Sequence, residues 1–313
     1  MECKVFIDGE AGTTGLKVAE RLQQHPLVQI LRVDEAYRKD AAARADIMAA
    51  SDITILCLPD DAALEAVTLA EPSKTRLIDA SSAHRTNPDW VYGFAELQPG
   101  QRDAIATARL ITNPGCYPTG FLALARPLIA SGLVADTALI NVPAVSGFSG
   151  GGKAMIARHD AGELDPAFSY GTNLQHKHLG EMTVYSGLKT PPIFMPSVGD
   201  FFAGMLVHMP LHADQFAGPV TAAKIYDCFA DWYGQSNFVR MGAGAANHQD
   251  TPSMLAADAL AGRNDMELFV FSDTGERRFW LTARLDNLGK GASGAAVQNM
   301  NIALGLDEGL GLL

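Results

Sequence analysis

Val5-Phe6-Ile7-Asp8-Gly9-Glu10-Ala11-Gly12-Thr13-Thr14-Gly15, followed by Leu16, Val18, Ala19 and Leu22, decides the fold of this chain. The first four residues read as a short apolar strand. The glycines read as a tight turn, and the spacing of the later apolar residues as one face of a helix. A strand, a glycine-rich turn and a helix in that order let the backbone approach a pyrophosphate, whose charge meets the N–H groups at the helix start. The glycine spacing is GxxGxxG, not the GxGxxG of the standard dinucleotide turn. By itself it also suits a glycine-rich turn in an unrelated α/β domain; the strand–turn–helix context favours nucleotide binding.

Further units of the same kind follow. Gln29 to Val33 reads as a second strand, with Asp34 and Glu35 at its end, where an acidic residue would bond the ribose hydroxyls of NAD. Arg32, Arg38 and Lys39 crowd the same place and would suit the 2′-phosphate of NADP, so local pattern leaves that choice open. Asp52 to Leu58 is a third strand, stopped by Pro59-Asp60-Asp61 and followed by a helix over 62–70. Arg76 to Ala80 is a fourth, ending in Ser81-Ser82-Ala83-His84-Arg85. Repeated strand–helix units imply a mostly parallel sheet, and ligands of such sheets collect beyond the C-terminal strand ends. Pro59, Ser81, Ser82 and Arg85 fall there; Arg85 reads as an anion clamp or as a solvated loop arginine. Cys57, inside an apolar strand, reads as core.

The chain has 313 residues, 48% of them hydrophobic, enough for a sizeable core and long enough to favour two domains. A formal charge of −11 argues against a general nucleic-acid surface but not against a local basic pocket for an anionic metabolite. Cysteines 3, 57, 116 and 228 show no CxxC spacing, which suggests individual thiols in a reducing compartment. Met1-Glu2-Cys3-Lys4 runs straight into a strand, so no signal peptide is expected, and no apolar run reaches membrane-spanning length.

The strongest chemical signal is Asn113-Pro114-Gly115-Cys116-Tyr117-Pro118-Thr119, a turn followed by an apolar helix expected over 119–129. A thiol at a helix start faces oriented N–H groups, which favour the thiolate. A strand over 138–145 leads into Ser146-Gly147-Phe148-Ser149-Gly150-Gly151-Gly152-Lys153. That segment suits a nest of N–H donors closed by a lysine, or a mobile surface loop; it lacks P-loop spacing. His176-Lys177-His178-Leu179-Gly180-Glu181 offers bases for a neighbouring thiol, with His84, His159, His208, His212 and His248 as competitors. HExxH spacing is absent and no third ligand is evident, so no metal is expected. Further on, 205–211 reads as a strand, and 221–233 as a helix with aromatics suited to core or interface. The stretches 267–272 and 279–285 read as antiparallel strands about Gly275. Asn287-Leu288-Gly289-Lys290-Gly291-Ala292-Ser293-Gly294 opens a last apolar helix that returns to the cofactor domain.

Taken together, GEAGTTG (9–15), DASSAHR (79–85), NPGCYPT (113–119), SGFSGGGK (146–153), HKHLGE (176–181) and NLGKGASGAAVQN (287–299) resemble the N-acetyl-gamma-glutamyl-phosphate reductases, especially their shorter form. The wider similarity is to aspartate-semialdehyde and glyceraldehyde-3-phosphate dehydrogenases. Gly180, where the longer form usually has proline, fits the shorter form.

The resemblance implies a Rossmann-type parallel-sheet domain over 1–113 and 287–313, and an α+β catalytic and oligomerisation domain with a mainly antiparallel sheet over 114–286. It implies NADPH-dependent reduction of N-acetyl-gamma-glutamyl phosphate, with release of inorganic phosphate, in arginine biosynthesis. It also implies a cytoplasmic homodimer or homotetramer that binds neither nucleic acid nor membrane. Cys116 would be the nucleophile and His178 the favoured acid and base, with His176 a close rival; Glu181 would orient an imidazole or bind substrate. Arg85, Ser149 and Lys153 would hold phosphate or carboxylate. Gly9, Gly12, Thr13, Thr14, Gly15, Ser81, Ser82, Lys290, Gly291 and Gly294 would approach the dinucleotide, with Arg38 and Lys39 suiting NADPH. An aspartate-semialdehyde dehydrogenase is the nearest rival reading, disfavoured by HKHLGE. A non-enzymatic dinucleotide sensor is a rival of another class, with no need for a reactive Cys116.

Overall fold

The glycine turn lies in a six-stranded sheet of parallel strands, order β2-β1-β3-β4-β6-β5. The structure is a computed structural model and describes residues 2–242 and 253–312; His248 lies outside the described residues. The sheet is built from β1 (Cys3–Asp8), α1 (Thr13–Gln23), β2 (Val28–Leu31), α2 (Ala41–Ala50), β3 (Ile53–Leu56), α3 (Asp60–Ala70), β4 (Arg76–Asp79), β5 (Val91–Tyr92), α4 (Gln101–Thr107) and β6 (Leu110–Thr112). Val5, Ile53, Ile55, Leu77 and Ile111 are fully buried, as the near-continuous apolar runs of a parallel sheet covered on both faces require. The sequence gives no advance sign of β5 and β6, two and three residues long, because such short strands show no periodicity.

The second sheet has seven strands, order β11-β12-β13-β10-β7-β9-β8. Its chain segments are α5 (Cys116–Ala130), β7 (Asn141–Gly147), α6 (Gly152–Asp160), β8 (Ala167–Ser169), α7 (Leu179–Ser186), β9 (Ile193–Gly199), β10 (Met205–His212), α8 (Ala222–Tyr233), β11 (Val239–Met241), β12 (Met266–Ser272) and β13 (Arg278–Leu285). The sheet is mixed: β12–β13, β13–β10, β10–β7 and β9–β8 run antiparallel, while β11–β12 and β7–β9 run parallel. Register places Val207, Leu281 and Ala283 on a fully buried face. The opposite face carries Ile193, Met195 and Trp280, each close to half exposed.

α5 starts at Cys116, ahead of the expected Thr119, because Pro118 sits in the first turn, where a missing N–H breaks no intrahelical bond. Phe121, Leu122, Leu124 and Leu128 make it a largely buried helix.

The chain divides into two compact units, 1–95 with 100–115 and 292–313, and 96–99 with 116–291. The final helix, Gly294–Ala303, belongs to the first unit. There Arg76 donates to the Ala303 carbonyl, and Asn299 Nδ2 donates to the Gly93 carbonyl at 2.8 Å.

Candidate active site

In the first unit, the turn after β1 opens into a cleft of about 780 Å³ lined by Gly9, Glu10, Leu16, Arg32, Arg38 and Lys39 among others. Gly9 has φ +87°, and a Cβ there would lie 2.4 Å from the Cys57 carbonyl oxygen. Only glycine lets the turn fold back on the sheet this closely. Thr13, at the first position of α1, holds its hydroxyl oxygen buried with no hydrogen-bond partner among the described residues. An orphaned hydroxyl beside free helix-start N–H groups is what a pyrophosphate would satisfy. The residues present therefore fit a dinucleotide.

The competing charges at the end of β2 are now sorted. Asp34 caps the following turn by accepting from Ala36 N–H at 2.9 Å. Glu10 takes Arg32 at 2.8 Å, and Glu35 takes Arg38 at 3.1 Å. Lys39 has no carboxylate partner among the described residues.

At the end of β4, Ser81 donates its hydroxyl to Asp79 at 2.7 Å, and Ser82 its hydroxyl to Asp60 at 2.7 Å. His84 Nδ1 lies 2.6 Å from Asp79, and its ring stacks on Trp90. Arg85 is buried, donating to the carbonyls of Asn113 and Ala80, both at 3.0 Å. Part of its guanidinium thus ties the end of β4 to the end of β6.

In the second unit, Cys116 is the first residue of α5 and is in no disulfide. The other thiols are held protonated: burial, with the charges of Asp79 and Asp8, pushes Cys57 up to about 12, and burial also raises Cys3 and Cys228. Around Cys116 the mixed sheet gathers aromatic rings. Tyr117 donates its hydroxyl to the Ser197 carbonyl at 2.9 Å and packs edge-on against Phe194. Burial, reinforced by charge at Cys116, pushes the Tyr170 phenol up to about 12. His176 and His178 stand with ring centres 4.6 Å apart, His176 against Phe194 and Tyr170, His178 6.2 Å from Tyr117.

The two imidazoles differ. His178 N–H donates to His176 Nδ1 at 3.1 Å, so neutral His176 carries its proton on Nε2 and presents a donor there. His178 is buried at the start of α7, with Glu181 one turn on and buried. Glu181 charge adds to burial in raising Tyr185 to about 12.

Two family descriptions cover most of the chain: "Semialdehyde dehydrogenase, NAD binding domain" over 4–108 and "Semialdehyde dehydrogenase, dimerisation domain" over 116–287. An N-acetyl-gamma-glutamyl-phosphate reductase of Trichormus variabilis is 48% identical, covering 99% of both chains. One of Brucella anthropi is also 48% identical, over 97% of this chain and 99% of its own. The chain belongs to the N-acetyl-gamma-glutamyl-phosphate reductase family. Among solved structures, an aspartate semialdehyde dehydrogenase II of Vibrio cholerae matches 97% of this chain with TM-score 0.69 and 17% identity. The enzyme of Candida albicans matches 96% at 0.65 and 13%. At such identities the likeness shows the fold alone.

Within this reductase family member, the segment 146–153 differs from a donor nest. The N–H groups of Gly147, Phe148 and Ser149 donate to the carbonyls of Gly204, Phe201 and Phe202. Pairing with the chain beside β10 uses them before any ligand does. Ser149 is buried and accepts from Asn287 Nδ2 at 3.0 Å; Lys153 is exposed in the first turn of α6. Gly294 opens the final helix. Lys290 is placed with its ammonium 2.8 Å from both oxygens of Glu96, and Gly291 lies against Cys116.

The other described competitors are occupied elsewhere. His159 pairs with Asp200, His208 with Thr282 and Trp280, and His212 flanks a short turn. Among the described residues no three His, Cys, Asp or Glu side chains gather as a metal site, and no helix is long and apolar enough to cross a membrane. Tyr170 and Glu96 carry no motif of their own; only their spatial neighbours reveal them.

Proposed function

We propose that the chain catalyses the NADPH-dependent reductive dephosphorylation of N-acetyl-L-glutamyl 5-phosphate to N-acetyl-L-glutamate 5-semialdehyde, a step of arginine biosynthesis. The observation that carries this reading is Cys116 at the first position of α5 beside Tyr117, in a unit that also gathers His176 and His178. Nearly full-length identity of 48% to reductases of that name supports it.

His178 accepts the thiol proton, and the Cys116 thiolate attacks the acyl carbon. The tetrahedral centre collapses, the C–O bond to phosphate breaks, and Cys116 is left as a thioester. Bound NADPH would supply a hydride to the thioester carbon. The resulting thiohemiacetal oxyanion expels the Cys116 thiolate and releases the aldehyde. His176 Nε2–H, held as a donor by the His178 backbone, is suited to meet oxyanion charge. Gly9, Gly12, Thr13, Thr14, Gly15, Ser81, Ser82 and Gly294 form the dinucleotide-binding set, and Lys39 with Arg38 takes the 2′-phosphate. Lys39, a cleft cation without a carboxylate partner among the described residues, supports NADPH over NADH. Arg85, Ser149 and Lys153 are proposed for the substrate's anionic ends.

The protein is proposed to pair as a homodimer or homotetramer through the sheet face bearing Ile193, Met195 and Trp280, whose exposed apolar area needs cover. Four cysteines outside any disulfide favour a reducing cytoplasm. The test is phosphate-dependent reduction of NADP+ by N-acetylglutamate semialdehyde, run beside aspartate semialdehyde. Turnover with the acetylated substrate, lost in Cys116→Ser, supports the reading. Preference for aspartate semialdehyde, or full activity without the thiol, overturns it.

A further inference from the structure

Lys290 is 1% exposed, one of the largest fully buried side chains of the protein. Its ammonium makes two charge-assisted bonds of 2.8 Å to the Glu96 carboxylate and lies 5.5 Å from the centre of the Phe238 ring. A buried pair of this kind is costly to desolvate, and removing one partner leaves an uncompensated charge. Such a pair is weak evidence for stability, which turns attention to what it holds in place.

What it holds is a five-residue π-helical turn, Gly289–Ser293. Wide turns of this type are rare and concentrate at functional sites. Here the defining bond runs from Gly291 N–H to the Asp286 carbonyl at 2.9 Å. The Asp286 carboxylate anchors the start of the turn by accepting from Gly262 N–H at 2.7 Å and Leu288 N–H at 3.0 Å. Lys290–Glu96 anchors its flank. Between the two anchors, Gly291 is pressed on the nucleophile: a Cβ at 291 would lie 2.7 Å from the Cβ of Cys116. Real Cβ atoms do not approach so closely, so the turn forms a wall that fixes where the Cys116 side chain stands.

We infer that Lys290 and Glu96 are positioning residues for catalysis: their buried ion pair locks the π-helical turn whose Gly291 backbone sets the place of the Cys116 thiol at the start of α5. The inference rests on Cys116 being the nucleophile. It gives Lys290 a different task from binding the dinucleotide. Thiol reactivity depends on orientation toward the N–H groups of the first helical turn, so displacement of the wall changes the reactivity of the sulfur before any substrate arrives.

The experiment measures the rate of Cys116 alkylation by iodoacetamide against pH, by mass spectrometry, together with kcat, KM and NADPH affinity. Wild type is compared with Lys290→Met, Glu96→Gln, Gly291→Ala and the double variant Lys290→Met/Glu96→Leu. The expected result is a kcat lowered at least about tenfold with KM and NADPH affinity within about twofold, and a shifted alkylation profile in every variant. The double variant should recover thermal stability, since an apolar pair replaces the ions, without recovering kcat. Recovery of kcat along with stability would reduce the pair to a structural role and overturn the inference. So would a loss confined to NADPH affinity with alkylation unchanged. Should the ion-pair variants fail to fold, Gly291→Ala decides, because it leaves the pair whole: an unaltered alkylation profile in that folded variant also sinks the proposal. Because alkylation needs no substrate, a wild type inactive toward the semialdehyde would count against the proposed reaction and leave this test standing.

Discussion

The glycine-turn cleft of the first unit and the cysteine cluster of the second are built on opposite plans. The cleft is drawn mainly from two stretches, Phe6 to Leu16 and Arg32 to Lys39, with Arg44, Leu58, Ala62 and Glu65 completing its lining. Its chemistry is largely backbone, a positive-φ glycine and helix-start N–H groups, with a few charged side chains at the rim. The cysteine cluster draws Cys116 and Tyr117 from α5, Tyr170 from beyond β8, His176 and His178 from the loop before α7, and Phe194 from β9. Sheet pairing brings these together: β8 pairs with β9, and Tyr170 N–H donates to the Pro196 carbonyl at 3.1 Å. A site made of backbone tolerates many side chains as long as the turn closes. A site assembled across a sheet depends on particular side chains and on each strand's register.

Mutations should separate the two plans, and the largest effect belongs to the assembled site. Cys116→Ser is expected to lower kcat by roughly 10³-fold or more while NADPH binding, followed by fluorescence titration, stays unchanged. A matching loss of NADPH binding would show that the two regions are not separable. Next comes the histidine pair. His178→Asn should cost on the order of 10²–10³ in kcat and His176→Asn about tenfold, because His176 Nδ1 already accepts the His178 backbone N–H, which leaves neutral His176 a donor rather than a base. The reverse order in steady-state kinetics would exchange their roles.

A third prediction concerns stability in acid. Burial lowers His208, on the second sheet, to about 4 from its usual 6.5. Between those values the unfolded chain binds a proton that the folded chain refuses, so stability falls as pH drops from 6.5 toward 4. The integrated loss is up to about 3 kcal/mol. Chemical denaturation of wild type and His208→Gln across this window should show the variant with the flatter profile; parallel profiles would refute the assignment. The smallest effect is expected at the cleft rim. Lys39→Ala should raise the KM for NADPH about tenfold, near 1.4 kcal/mol, and leave that for NADH unchanged. Equal changes for both cofactors would remove Lys39 from the 2′-phosphate site.

Much of this architecture was legible from residues alone. The glycine turn, the parallel strands, the nucleophile's turn and the hairpin strands around Gly275 each announce themselves within about ten residues, the range over which periodicity and turn chemistry operate. The sheet of the second unit was less legible. Its two parallel pairings, β7–β9 and β11–β12, join strands too far apart along the chain for any local pattern to report. The segment 146–153 shows the same limit: its glycines and serines suit an anion nest, yet its first N–H groups are taken by carbonyls of residues 201–204. Lys290 is the sharpest case. The resemblance sets it near the dinucleotide, and only the fold discloses Glu96 beside it.

Sequence by itself determined the parallel cofactor-type domain, the candidate thiol and the family, because each is written in contiguous residues whose backbone preferences and chemistry do not wait for distant partners. Tertiary structure alone decided which histidine donates, which cations keep a carboxylate, and what stands behind the thiol. Those properties arise from distances between residues far apart along the chain, and both charge and hydrogen bonding are set by distance.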